Sequence, residues 1–122
     1  MKMAKPTAAA LAAFEALVPT EEGIGRRPVF GQPAAFLEGN MFLGVFGDTV
    51  IVRLSEADRE RAASELGARP FEPMPGRPMR EYVVLPANVF ADRAVAKSWV
   101  DRAVAFASRL PKKKPKARGR AG

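Results

Sequence analysis

Residues 33–54, PAAFLEGNMFLGVFGDTVIVRL, constrain this chain more than any other stretch. Gly39-Asn40 and Gly47-Asp48 each separate two apolar runs, and such pairs tolerate the positive φ that two-residue hairpin turns demand. The stretch therefore predicts three antiparallel strands. With Gly47-Asp48 as the whole second loop, Val45 faces Val50, Leu43 faces Val52 and Met41 faces Leu54. The first turn sets Phe36 opposite Leu43 and Glu38 opposite Met41. Side chains alternate between faces along a strand. One face then carries Ala34, Phe36, Met41, Leu43, Val45, Val50, Val52 and Leu54, and needs helices over it. The other carries Ala35, Leu37, Phe42, Gly44, Phe46, Thr49, Ile51 and Arg53. Leu37, Phe42, Phe46 and Ile51 make this second face more apolar than the solvated side of an antiparallel sheet. Those four side chains are the candidate surface for a protein partner or a homodimer. The alternative is that the last helix or the Val29-Phe30 segment covers them.

The flanks supply the helices. Residues 7–18 read as a helix capped by Thr7, with Leu11, Phe14, Leu17 and Val18 on one side and Pro19 as its stop. Residues 20–32 read as an irregular link in which Val29-Phe30 pairs at most briefly with a sheet edge. Ser55 starts a second helix that Gly67 closes. Its thin stripe of Ala62, Ala63 and Leu66 places it at the rim, and Arg61 with Glu65 forms an i, i+4 pair. Residues 69–73 are short and proline-bounded, which suits an edge strand, and residues 79–85 are the better strand. Pro86 to Phe90 reads as a single helical turn. Asp92 caps the last helix, which presents Val95, Ala96, Trp99, Ala103, Phe106, Ala107 and Leu110 on one face. The order α-β-β-β-α-β-β-α specifies an α+β, two-layer domain: a mainly antiparallel sheet with helices on one face.

Composition narrows the chemistry. The absence of cysteine and histidine removes thiolate catalysis, zinc–thiolate sites and the commonest general base. The net charge of +7 is uneven: Lys112, Lys113, Lys114, Lys116, Arg118 and Arg120 lie in residues 111–122 with no acid, and removing these six leaves +1 for residues 1–110. The chain accordingly divides into one domain, 1–110, and a basic tail, 111–122, that reads as disordered. The six tail cations are the candidate nucleic-acid contacts. Six phosphates neutralised would give a log–log salt slope of about −5, and a tail without aromatics would read no sequence. No apolar run is long enough for a membrane span, and the N-terminus does not read as a signal peptide because Glu15 follows a short, weak apolar run. The expected compartment is the cytoplasm.

No nucleophile elbow, Walker A sequence or H-E-x-x-H is present. Gly23-Ile24-Gly25 lacks a third glycine at the required offset and reads as a flexible link. Glu56, Asp58, Glu60 and Glu65 read as a solvated helix face. Glu38 and Asp48 stand at opposite ends of a strand, about 20 Å apart at ~3.3 Å per residue, too far to share one bond as acid and base. An enzyme reading would need Arg26, Arg27 and Tyr82 gathered around a carboxylate. The expectation is no catalytic residue, no metal site and no cofactor.

The ordered series Arg26, Arg27, Phe30, Gly31, Glu38, Gly39, Met41 and Phe42 resembles the TfoX N-terminal domain family. The second block is similar too, with Pro70-Phe71, Gly76-Arg77, Tyr82 and Leu85-Pro86, followed by a helix bearing Trp99. The resemblance covers about residues 11 to 109. It implies an α-β(3)-α-β(2)-α arrangement and a non-enzymatic regulatory or interaction module. The family takes its name from a regulator of bacterial natural competence that works with the cyclic-AMP receptor protein at promoters. This chain departs from that regulator at Pro28-Val29, where relatives carry a methionine before the phenylalanine, and in having a basic tail in place of a second domain. The alternative function is a nucleic-acid-associated protein tethered non-specifically through that tail.

Overall fold

The computed structural model describes residues 5–112. The chain runs α1 (Ala8–Leu17), β1 (Ile24–Val29), β2 (Gln32–Leu37), β3 (Asn40–Phe46), β4 (Thr49–Arg53), α2 (Glu56–Leu66), β5 (Arg69–Met74), β6 (Arg77–Leu85), α3 (Ala87–Phe90) and α4 (Arg93–Ser108). The strands form one six-stranded antiparallel sheet in the order β1-β2-β3-β4-β6-β5. The α+β class and the one-sided helical layer agree with the sequence. The link before the meander does not: residues 24–29 are a full edge strand paired with β2. Its turn, Phe30-Gly31, takes φ of 56° and 75°. A bulky residue with positive φ is uncommon, and the residue pair lacks the usual Asn-Gly signature, so the local sequence concealed this hairpin.

Helices α1, α2 and α4 each begin on a side chain that accepts an otherwise orphaned N–H. Thr7 Oγ1 accepts from the Ala10 N–H at 3.2 Å, Ser55 Oγ from Asp58 at 3.2 Å, and Asp92 Oδ1 from Val95 at 3.3 Å. Gly67 closes α2 in the left-handed conformation. Ala10, Ala13, Phe14 and Leu17 of α1 and Ala96, Trp99, Val100, Ala103 and Ala107 of α4 pack over the central strands. Alanine at these positions lets helix backbones approach the sheet closely. Val95, expected in the stripe, is 37% exposed. Among the described residues α2 buries Ala62 alone, and the Arg102–Asp58 ion pair at 2.8 Å ties it to α4.

The second hairpin pairs as the sequence predicts, Val45 with Val50 and Leu43 with Val52. The first does not. Its turn residues are Glu38-Gly39, with φ of 50° and 85°, the positive values a type I′ turn demands at both positions. Leu37 therefore pairs with Asn40 and Phe36 with Met41, before a bulge restores Ala35 to Leu43. Phe42 is the extra residue. A bulge lets two neighbours share one face, and Phe42 and Leu43 both enter the helix-side core. The one-residue shift exchanges the faces of β2 and of the start of β3. Ala35, Leu37 and Phe42 move under the helices, whereas Ala34, Phe36 and Met41 move to the opposite face.

Candidate functional site

The helix-free face has its own apolar cluster, built entirely from strands. Ala34, Met41, Ile51, Phe71 and Tyr82 are buried in it, with Val29, Phe36, Phe46, Met79 and Val84 half-buried around them. Two aromatic contacts draw opposite edges of the sheet together over this face. The Phe30 ring meets Phe46 edge-on at 5.8 Å, and Phe46 meets Phe71 of β5 edge-on at 5.0 Å. Gly44 makes room for the cluster, since a Cβ there would stand 2.6 Å from Met41 Cε. Between the β3–β4 turn and β5 lies an open cleft of about 540 Å³, bordered by Phe46, Asp48, Arg69, Phe71 and Glu72.

Guanidinium groups frame these rings. Arg26 and Arg27 are neighbours on β1 and so point to opposite faces. Arg26 turns to the helices, where it meets Glu15 through both carboxylate oxygens at 2.8 and 2.9 Å and lies 5.6 Å from the Phe14 ring. Arg27 pairs in register with Ala34 and stands 4.2 Å over the Phe36 ring, without a carboxylate in ion-pair range among the described residues. Arg53 holds Glu81 at 2.6 Å and stands 5.5 Å from the Tyr82 ring. The Tyr82 hydroxyl donates to the Met41 carbonyl at 3.3 Å. Burial pushes the Tyr82 pKa above its ordinary value, against the opposing pull of Arg53. Tyr82 is therefore neutral at physiological pH. Arg26, Arg27 and Tyr82 do not converge on one carboxylate.

The four side chains singled out as one surface are divided by the sheet. Phe42 is fully buried under the helices and Leu37 packs beside it. Phe46 and Ile51 lie on the helix-free face, where Ile51 is 2% exposed. The exposed character of that face comes instead from Arg27, Phe30, Phe36, Phe46 and Arg69, of which only Phe46 was among the four side chains expected to form a surface. The missing signal was the turn: with Glu38-Gly39 as the loop, alternation would have placed Phe36 there. Of the tail cations, Lys112 is exposed, while Lys113, Lys114, Lys116, Arg118 and Arg120 lie outside the described residues. The buried Asn40 donates from Nδ2 to the Pro111 carbonyl at 2.9 Å, so the tail departs beside the β2–β3 turn. Among the described residues no group of three or more acidic side chains could hold a metal ion, and no helix is long and apolar enough to cross a membrane.

These features define a small α+β domain with four helices on one side of an antiparallel sheet and an arginine–aromatic face on the other. The match to a known family agrees with them. The model of the TfoX N-terminal domain covers residues 15–107, and the chain belongs to that family. No curated protein matches it.

Proposed function

We propose that this chain is a non-enzymatic, cytoplasmic interaction module serving a transcription-related regulator, and that its contact surface is the helix-free face of the sheet. The observation that carries the reading is an apolar cluster with no helix over it, on which half-buried rings lie beside exposed arginines. A sheet face meant only for water would alternate to polar side chains. Large exposed apolar patches mark interfaces. The polar groups on the face are chiefly guanidinium groups and a neutral phenol, a set suited to contact and charge recognition.

A photo-crosslinking amino acid placed at Phe36 should give discrete adducts in cells, whereas the same group at the exposed Lys97 of α4 should not. Equal adduct formation at both sites, or none at Phe36, would refute the reading.

A second reading rests on the tail. Its six cations in residues 111–122 favour non-specific contact with nucleic-acid phosphates. Changing all six to glutamine should abolish any duplex binding whose affinity falls with salt at a slope of about −5. Binding that survives this change would remove the tail from consideration.

A further inference from the structure

We infer that the helix-free face binds single-stranded nucleic acid, with Phe36 and Phe46 as stacking platforms and Arg27 and Arg69 as phosphate contacts. This rests on the reading of that face as the contact surface and names its occupant.

Charge selects the class of partner. Strands β1 to β4 contain no Asp or Glu, while Arg27 and Arg69 stand exposed on the helix-free face; Arg26 turns to Glu15 on the other side and Arg53 is paired with Glu81. The strand carboxylates are Glu72 and Glu81, and both are engaged: Glu81 by Arg53 at 2.6 Å, Glu72 by the Gly76 N–H at 2.6 Å. A second copy docked by two-fold symmetry would set this cationic face against itself, which like-charge repulsion opposes. An anionic partner is favoured. The rings then separate one kind of polyanion from another. Phe36 and Phe46 are half-buried and anchored from below; the Arg27 guanidinium lies 4.2 Å over the Phe36 ring, so Phe36 offers its face to a base as Arg27 swings out to a phosphate. Flat aromatic surfaces beside arginines are what unpaired bases stack on, without regard to sequence, whereas a duplex keeps its base faces internal. Phe36 lies four residues along β2 from Gln32, whose side-chain oxygen accepts from the Gly47 N–H next to Phe46 at 2.7 Å. At ~3.3 Å per residue the two platforms are about 13 Å apart, far enough to engage different bases. The cleft beside Phe46 has the volume for an aromatic group. Asp48 and Glu72 border it, so it suits a base better than a phosphate, and the phosphates fall to Arg27 and Arg69.

The test uses the full chain with all six tail cations changed to glutamine, so that the tail cannot account for binding. Fluorescence anisotropy compares a short labelled oligothymidylate with a duplex of equal length across a salt series. The single strand should bind and the duplex should bind more weakly. Phe36→Leu keeps the apolar packing but removes the stacking surface, and should weaken binding about tenfold. Arg27→Gln changes an exposed side chain and should lower the salt slope by about 0.7. Thermal melting of both variants confirms that they fold. Absence of binding, preference for the duplex, or affinities and slopes unmoved by both substitutions would overturn the inference. Protein adducts from the crosslinker at Phe36, with no oligothymidylate binding, would overturn this occupant and keep the surface. A complete lack of adducts would instead defeat the reading of the surface itself.

Discussion

Phe42→Ala and Phe46→Ala should behave very differently, although the two residues lie close together on one strand. Phe42 is the bulged residue of β3 and is 0% exposed beneath the helices. Its truncation leaves a cavity in the main core, at a cost of about 3–5 kcal/mol. A domain of this size is stable by only about 5–15 kcal/mol, so the loss is a large share of the total. Phe46 is half-buried, and its ring makes edge contacts with Phe30 at 5.8 Å and Phe71 at 5.0 Å. At about 0.5–1.5 kcal/mol per aromatic pair, removing both costs roughly 1–3 kcal/mol. Trp99 is the single tryptophan and is 4% exposed, so its fluorescence reports unfolding of the main core. With an m-value of about 1.5 kcal/mol/M in urea, the midpoint should fall by about 2–3 M for Phe42→Ala and by the smaller amount of about 0.7–2 M for Phe46→Ala. Equal shifts, or a larger one for Phe46→Ala, would refute the bulge and the division of faces that follows from it.

Three further substitutions probe the same architecture. Asn40→Ala leaves the Pro111 carbonyl without its partner and should cost about 1–3 kcal/mol in a urea melt; an unchanged midpoint would mean that Pro111 is not docked. Glu38→Asn places a residue suited to positive φ at the first position of the type I′ turn, and should raise the melting temperature by an amount worth a few tenths of a kcal/mol, as seen by calorimetry. The raised Tyr82 pKa means that the folded state holds the phenolic proton more tightly than the unfolded chain does. Its stabilising contribution is complete below the ordinary value of 10.0 and is lost as pH rises through the higher folded value. Urea midpoints at pH 8 and 10.5 should therefore fall more for the native protein than for Tyr82→Phe, and parallel falls would show that Tyr82 is not buried.

Local chemistry was legible in the sequence wherever one or two neighbouring residues decide the outcome. Thr7, Ser55 and Asp92 cap their helices because a side-chain oxygen reaches an N–H three residues on. Gly67 ends α2 because it adopts positive φ without a Cβ penalty. Gly47-Asp48 sets the second hairpin and its register for the same kind of reason. The α+β class, the one-sided helices and the edge position of the proline-bounded β5 followed from these local signals and from apolar spacing. What tertiary structure alone decided was parity. Glu38-Gly39 and Gly39-Asn40 are both acceptable turns locally, and they differ by one residue. The choice between them depends on remote partners: Asn40 binds Pro111 across the fold, Phe42 fills space beneath the helices, and Met41 covers Gly44. Because side chains alternate with a period of two, that single residue carried Phe36 to the open face and Phe42 to the core, and so determined which aromatic rings this protein presents.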